Sequence, residues 1–403
     1  MAPKRSENAL QPKTTHYEWG GPFGGFMLVV GLPLLVLTLN SLCHRKEDTC
    51  SLQEISQLPQ LLVETVQGAL PDLPTALLIE VLWLAAHALF YLFPIGKVVS
   101  GLPLRNGEVL QYRINAIHAF FISHIAIFFA HYYGYIDLVR IAEIFPSLML
   151  GAILISYVMS LALYFASYRS RNVVTALGGN SGNFFYDFWI GRELNPRTGF
   201  LDWKFFCELR PGLIGWSILN WSFVAQSLAV GTFTPSIFCV ALFETLYVLD
   251  GLLLEVGNLT MMDIVTDGFG FMLCFGDLTW VPFIYTLQTK YLVHHPVVLS
   301  PVYLGLCTAL VVLGYTIFRG ANTQKDIFRT NPKDPRVAHL KVMKTSAGKS
   351  LITSGYWGCL PSSELCGGLA DGAGMGLLHR CGRLHLLFPS HLLWHFAHPP
   401  SVP

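Results

Sequence analysis

Ionisable side chains inside apolar segments are the first residues of this sequence that could do chemistry. Glu244 and Asp277 fall near the centres of such segments, where inserting a charged group costs about 2.5–3.5 kcal/mol. Glu244, Tyr247 and Gly251 are spaced i, i+3 and i+7, so a helix places them on one face. Groups of this kind act as a proton relay in a transporter, as a general acid in an enzyme, or as a hydrogen-bonded network between helices. The residues alone leave these three alternatives open.

A glycine-rich stretch and a pair of cations are the other candidate motifs. The stretch 178–197 has glycines that permit close backbone approach, but it matches neither a dinucleotide-binding fingerprint nor a P-loop. Lys325 and Arg329 are spaced i, i+4, so a helix directs both to the same side. Two such cations at a membrane edge hold a phosphate-bearing cofactor or attract anionic lipid headgroups.

The composition shows what kind of protein must position these residues. The chain has 403 residues, of which 53% are hydrophobic and 13% charged, and its mean hydropathy is +0.49. A soluble domain carries about 25% charged residues, so a membrane protein is favoured over a soluble enzyme or a disordered chain. The net charge of +1 argues against a nucleic-acid partner. The nine cysteines show no repeated spacing, and Cys43 and Cys50 would pair only if their polar loop is lumenal.

The apolar segments predict an all-α polytopic membrane protein. A transmembrane helix needs about 20 mostly apolar residues. Eight predicted spans precede residue 319: 23–42, 75–95, 117–135, 142–168, 213–232, 235–256, 267–288 and 300–318. Lysine and arginine concentrate before the first span and after the second, fourth and eighth, which lie on one side if all eight are correct. That side is predicted to be the cytosol, so residues 1–20 form a short polar cytosolic N-terminus.

Several segments together resemble a known family. They are Gly178–Arg197, Cys207–Trp216, Asp267–Asp277, Phe318–Arg329 and Ser354–Gly358. In this order they resemble the sterol reductase family, most closely its delta-14 branch, which includes the membrane domain of the lamin B receptor. The resemblance covers about residues 20–358. It implies a membrane domain at 21–358 with cytosolic loops at 169–212 and 319–358.

The resemblance also implies a reaction and its cofactor. The expected activity is NADPH-dependent reduction of the 14,15 double bond of a sterol diene, in the endoplasmic reticulum membrane or the nuclear envelope. An acid protonates the alkene and hydride then reaches the cation at carbon 14. By the pattern of the family, Lys325, Arg329, Ile352 and Trp357 line the cofactor site, where the cations hold phosphate and the indole packs on a ring.

The proton donor and the exact reaction stay open at this stage. Tyr247, Asp277 and Glu244 are the candidate donors. The rival functions are reduction of another sterol double bond and a non-catalytic sterol-binding or nuclear-envelope membrane protein. The expected partners are the sterol and membrane lipid, with no nucleic acid and no metal. Two departures from the family could disturb the pocket: the segment Asp250–Asn258 lacks the usual aromatic residues, and Thr266 stands where a histidine is usual.

The C-terminal segment departs from the family altogether. After Gly358 the family continues with R-H-P-N-Y-x-G-D, whereas this chain continues from Pro361 with P-S-S-E-L-C-G-G. A set of codons for the residues from Pro361 onward encodes R-H-P-N-Y-V-G-D when it is read one nucleotide later. We therefore expect residues 359–403 to be a frame-shifted tail. The replaced part should contribute to the cofactor pocket, so we expect little or no reductase activity from this chain as written.

Overall fold

The computed structural model describes residues 10–42, 57–169, 173–344 and 350–359. These residues are mostly helical, in two compact units. The first unit comprises the chain up to Phe233 together with Ala241–His294, and the second comprises Thr234–Val240 together with the chain from His295. Cys43 and Cys50, whose pairing depends on a lumenal loop, lie outside the described residues, as do residues 360–403 of the expected tail.

Helices account for most of both units. In chain order they are Gly21–Leu42, Leu58–Ala69, Leu73–Leu92, Ala116–Tyr132, Leu138–Glu143, Phe145–Ala166, Phe184–Ile190, Trp203–Leu209, Pro211–Ala229, Pro235–Leu253, Met262–Val265, Phe271–Phe275, Val281–Ile284, Leu287–His294, Pro301–Thr330 and Tyr356–Cys359. A 3₁₀ segment occupies Glu255–Thr260. A π turn occupies Gly276–Trp280.

Proline and short polar side chains determine where many of these helices begin. The helices at Leu73, Phe145 and Pro211 carry proline in their first turn, where its missing N–H costs nothing. Asn183 and Asp202 cap the helices that follow them, because their side-chain oxygens accept the backbone N–H of Tyr186 and Phe205.

Five of the predicted spans are helices long and apolar enough to cross a membrane. Among the residues that the structure describes, these are Gly21–Leu42, Leu73–Leu92, Phe145–Ala166, Pro235–Leu253 and Pro301–Thr330. Their outward side chains are apolar; Leu82, Leu89 and Val158, for example, are exposed. A polytopic membrane protein is therefore confirmed, whereas the count of eight spans is not.

The other three predicted spans differ from simple membrane helices. The span expected at 117–135 is the shorter helix Ala116–Tyr132. The span expected at 213–232 is Pro211–Ala229, and its polar residues include Asn220 and Gln226. The span expected at 267–288 is not one helix, because the π turn interrupts it and a new helix begins at Leu287. Hydropathy sums do not detect such a break, since the apolar residues on both sides of the π turn keep the average of the segment high.

The strands form three small antiparallel hairpins. Lys97–Pro103 pairs with Val109–Ile114. Arg197–Thr198 pairs with Leu201–Asp202. In the second unit, Val342–Lys344 pairs with Ser350–Ile352.

Aromatic residues dominate the core of the first unit. Phe205 and Phe206 are fully buried there and pack with Tyr91 and Leu252. Around this core, helix Phe145–Ala166 packs on Leu73–Leu92, and Pro211–Ala229 packs on the short helices between residues 281 and 294. Two charged residues, Lys204 and Arg210, are also fully buried in this unit. Their partners are described with the site.

The second unit is built around the helix Pro301–Thr330. Ser300 caps its start by accepting the N–H of Tyr303, and Asn331–Pro332 follows its last residue, where proline cannot continue a helix. The turn Tyr356–Cys359 packs on this helix. Gly320 makes that contact possible, because a Cβ there would lie 2.3 Å from Cζ of Tyr356.

Candidate active site

The glycine-rich motif and the Asp-Gly-Phe-Gly motif form one backbone joint. Gly191 has φ +90°, and a Cβ on it would lie 2.2 Å from the backbone nitrogen of Gly270. A Cβ on Gly268 would lie 1.9 Å from the carbonyl oxygen of Gly191. The N–H of Phe269 donates to the carbonyl of Glu193 at 3.0 Å. These glycines therefore bring two segments, far apart in sequence, into direct backbone contact; they do not cradle a phosphate.

Charged side chains of the glycine-rich motif have partners both inside the motif and outside it. Asp187 accepts the N–H and the hydroxyl of Ser181, both at 2.7 Å. Arg192 donates to Oδ1 of Asn180 at 3.0 Å, and its guanidinium lies 4.0 Å from the ring centroid of Tyr168. The motif is thus a loop with internal hydrogen bonds that is also tied to Ser167 and Tyr168, just after helix Phe145–Ala166.

A fully buried ion pair anchors the segment that departs from the family pattern. Nη2 of Arg210 donates to Oε1 of Glu255 at 2.5 Å and to Oδ1 of Asn115 at 3.0 Å. Oε2 of Glu255 accepts the backbone N–H of Ala116 at 2.8 Å. The guanidinium also lies 4.5 Å from the ring centroid of Tyr91. Glu255 therefore ties its segment to the start of two helices.

A buried lysine supports the backbone joint from the other side. Nζ of Lys204 donates to the carbonyl oxygens of Ile264 and Asp267, at 3.0 and 2.7 Å. Burial lowers the pKa of Lys204 to about 8, and the carboxylates of Asp202 and Asp267 partly oppose that shift. The ammonium group thus holds the chain immediately before the Asp-Gly-Phe-Gly motif.

Glu244 is the centre of a hydrogen-bonded network between helices. Its carboxyl group is 1% exposed. Oε2 accepts Nε1 of Trp216 at 2.9 Å and Nδ2 of Asn220 at 2.5 Å. The hydroxyl of Thr289 donates to Oδ1 of Asn220 at 2.7 Å, which fixes the amide orientation. Three helices therefore converge on this carboxyl group.

Tyr247 lies one helical turn after Glu244 and shares Trp216 with it. The ring centroids of Trp216 and Tyr247 are 6.1 Å apart, and those of Trp216 and Tyr285 are 5.0 Å apart, both in edge-to-face geometry. Tyr247 is half-buried against the aromatic core. Glu244 thus holds the indole whose ring contacts the tyrosine.

Asp277 belongs to a different set of polar groups. It lies in the π turn, is 9% exposed, and its Oδ2 has no hydrogen-bond partner. Gly212 allows the neighbouring helix to approach, since a Cβ there would lie 1.8 Å from the carbonyl oxygen of Asp277. The charged groups that act on it are Glu208, Asp263 and Lys204. π turns often occur at functional sites.

The four candidate cofactor residues all belong to the second unit, and two of them are in contact. Nζ of Lys325 is 5.4 Å from the ring centroid of Trp357. Nε1 of Trp357 donates to the carbonyl oxygen of Ala321 at 3.0 Å, which docks the indole on the helix one turn before the lysine. Arg329 is exposed one turn beyond Lys325, and Ile352 is half-buried in the hairpin strand Ser350–Ile352. A cation and an aromatic ring side by side fit a phosphate and a planar heterocycle.

Two features of the first unit were not predicted from the sequence. Glu80 lies within the membrane helix Leu73–Leu92, and a Cβ on Gly151 would lie 3.6 Å from its carboxyl atoms. A lone glutamate in an apolar segment was the signal that could have found it. The partners of Glu244 were also missed, since Trp216 and Asn220 lie on another helix.

Among the described residues, no group of three or more histidine, cysteine, aspartate or glutamate side chains could hold a metal ion.

Comparisons with known proteins decide the family. A model of the ergosterol biosynthesis ERG4/ERG24 family matches residues 13–369. The chain belongs to this family. The match ends inside the expected tail 359–403, whose frame-shifted origin stays a prediction.

Curated relatives of this ERG4/ERG24 family member are named as reductases. The chain is 44% identical over 381 residues to the Delta(14)-sterol reductase LBR of Gallus gallus, covering 93% of this chain and 58% of that protein. It is 40% identical over 382 residues to the Delta(14)-sterol reductase TM7SF2 of Mus musculus, covering 94% and 88% of the two chains. It is 40% identical over 357 residues to the Delta(14)-sterol reductase erg24 of Schizosaccharomyces pombe, covering 88% and 82%. The chain thus spans little more than half of the chicken relative and most of the other two.

Proposed function

We propose that this family member is a delta-14 sterol reductase that uses NADPH to reduce the 14,15 double bond of a sterol diene, in the endoplasmic reticulum membrane or the nuclear envelope. Relatives at 37–44% identity that carry this name support the proposal. The structural observation that carries it is the contact of Lys325 with Trp357 on the helix Pro301–Thr330.

The second unit supplies the residues for the cofactor. Lys325 and Arg329 would hold phosphate through charge-assisted hydrogen bonds, and Trp357 would pack on a ring of the cofactor. Ile352 would cover the same site from the hairpin. The bound cofactor supplies the hydride of the reaction.

The first unit supplies the proton, and we assign its delivery to Tyr247. Oε2 of Glu244 already accepts two N–H groups, so this oxygen is not offered to a substrate. The same bonds fix Trp216, whose ring contacts the tyrosine. Glu244 is therefore a positioning residue and Tyr247 the acid that protonates the alkene, in the manner of a general acid.

Asp277 has a separate role in this proposal. Its free Oδ2 and its place in the π turn suit a group that restores the proton after each turnover. A direct role as the acid would make Tyr247 dispensable, so the two residues can be told apart by substitution.

The first experiment is a sterol profile in cells that lack delta-14 reductase. Four proteins are compared: the 403-residue chain, a version with the family reading frame restored after Gly358, and two restored versions that carry Tyr247→Phe or Asp277→Asn. Tyr132→Phe is the matched control, since this tyrosine is 81% exposed. The restored chain and its control should clear the 14,15-unsaturated sterol, whereas Tyr247→Phe should not.

The outcomes separate the parts of the proposal. Clearance by the 403-residue chain would show that its tail is functional and that our expectation of low activity is wrong. Loss of a different double bond would replace the delta-14 assignment. Full activity of Tyr247→Phe, with loss in Asp277→Asn, would transfer the acid role to the aspartate.

A further inference from the structure

The helix Pro301–Thr330 has a second face that the proposed function does not use. Turned away from the Lys325 side, this face lines a groove of about 530 Å³ within the second unit. The lining residues are Tyr315, Thr316, Arg319, Gly320, Thr323, Gln324, Ile327, Arg336, Val337 and Tyr356. Its volume lies within the range of about 300–1,000 Å³ typical of small-molecule sites.

Packing shapes this groove. The ring of Tyr356 rests directly on Gly320, and the backbone N–H of Tyr356 donates to Oε1 of Gln324 at 3.2 Å. Val337 is 1% exposed and forms the floor beside the helix. Two arginines, Arg319 and Arg336, line the groove together with these residues.

The polar chemistry of the groove suits an anion. Arg319 is half-buried, and Arg336 is 70% exposed. Asp334 holds Arg336 in a two-point pair through Nε at 2.9 Å and Nη2 at 2.8 Å, in which Nη1 takes no part. The guanidinium is therefore oriented, while its remaining amino group is directed elsewhere. The hydroxyl of Thr323 adds a neutral donor, whereas that of Thr316 already donates to the carbonyl oxygen of Val312 at 2.7 Å.

The position of the groove along the helix matches the membrane surface. Arg319 follows Pro301 by 18 residues, which corresponds to about 27 Å along the helix axis. The hydrocarbon core of a bilayer is about 30 Å thick. Arg319 therefore stands at headgroup level, and Tyr315 lies one turn deeper, where interfacial aromatic residues are common. The segment 319–344 carries seven lysines and arginines against two aspartates.

We propose that this groove binds the phosphate of an anionic phospholipid between Arg319 and Arg336. Paired arginines are well suited to phosphate because their planar forks bind its oxygens at two points. Tyr315 lines the end of the groove that lies toward the bilayer, one turn deeper than Arg319, so the acyl chains run from the phosphate past this end into the membrane. The site is separate from the face of Lys325, Arg329 and Trp357, so it does not depend on the proposed reductase activity.

The test measures lipid binding to the full-length chain in detergent. The probes are phosphatidic acid and phosphatidylcholine with the same short acyl chains, and inorganic phosphate alone. The wild-type chain should bind phosphatidic acid at least tenfold more tightly than phosphatidylcholine. Arg319→Gln/Arg336→Gln should abolish that preference. Lys333→Gln/Lys341→Gln removes two charges from the same segment outside the groove and should change the affinity less than twofold.

A third variant and a folding control complete the lipid-binding experiment. Asp334→Asn should tighten binding of phosphatidic acid severalfold, because a carboxylate beside the phosphate is removed; a purely structural pair would give the opposite sign. Thermal unfolding of each variant checks that the arginine variant is folded. Equal losses in the arginine and lysine variants would show unspecific attraction and refute the site. Equally tight binding of inorganic phosphate would refute a lipid ligand.

Discussion

The buried pair of Arg210 and Glu255 gives the sharpest stability prediction. Both side chains are almost fully buried, and the carboxylate holds Arg210 through Oε1 and the N–H of Ala116 through Oε2. Glu255→Gln keeps one acceptor oxygen and removes the counter-charge of a guanidinium that has no access to water. Breaking one partner of a buried pair costs about 3–5 kcal/mol. In large domains each kcal/mol of lost stability lowers the melting temperature by at least about 2 °C. The melting temperature of Glu255→Gln should therefore fall by about 6–10 °C.

A thiol-reactive dye can report this unfolding, because Cys207 and Cys274 are fully buried and become reactive only when the first unit opens. Glu143→Gln is the matched control, since its pair with Arg140 is exposed and exposed pairs contribute about 0–1 kcal/mol. The double variant Arg210→Met/Glu255→Leu should regain much of the lost stability, because no charge is left buried. A fall in Glu255→Gln no larger than that of the control would show that water reaches the pair, and the reasoning would fail.

Three further predictions follow from the same structure. Gly191→Ala should leave almost no monodisperse protein on size-exclusion chromatography, because the new Cβ would lie 2.2 Å from a backbone atom. Gly107→Ala is the control: its φ is +84° but the space around it is open, so it should lower the free energy of unfolding by only about 1 kcal/mol. The pKa of Lys204 is about 8 in the folded chain and 10.5 when the side chain is exposed. Because the unfolded chain binds more protons between these values, thermal stability should increase as pH rises from 8 to 10. Lys204→Met should lose this pH dependence of stability, and an unchanged dependence would contradict the burial of the ammonium group. In the chain with the restored reading frame, Lys325→Gln should raise KM for NADPH about tenfold or more, with little change in kcat. An equal effect of Lys333→Gln would contradict the assignment of Lys325 to the cofactor site.

The family and the helical membrane architecture could be predicted from the sequence, because short motifs identify the family and apolar segments identify the membrane helices. The apolar segments that became helices Gly21–Leu42 and Phe145–Ala166 need no long-range information. The contact of Lys325 with Trp357 was anticipated only in part. The i, i+4 spacing placed Lys325 and Arg329 on one helix face, but the family resemblance was needed to bring in Trp357, 32 residues later.

The remaining features depend on contacts that leave no periodic signal. The joint between Gly191 and Gly268 is made of backbone atoms, so no side-chain pattern marks it. The break in the expected span 267–288 is a change of hydrogen-bond register within a segment that is apolar on average, and hydropathy does not detect it. Glu244 was identified as a buried acid, but its partner Trp216 comes from a helix whose packing the sequence does not specify.

The backbone joint also has a consequence for how the protein is made. Gly268 follows Gly191 by 77 residues, which the ribosome adds in about 4–15 s at 5–20 residues per second. During that interval the glycine loop exists without the segment that completes the joint, and quality-control factors can act on the unfinished protein. Substitutions in the Asp-Gly-Phe-Gly motif should then act by delaying formation of the joint. They should lower the amount of protein in the membrane and leave the turnover of each surviving molecule unchanged.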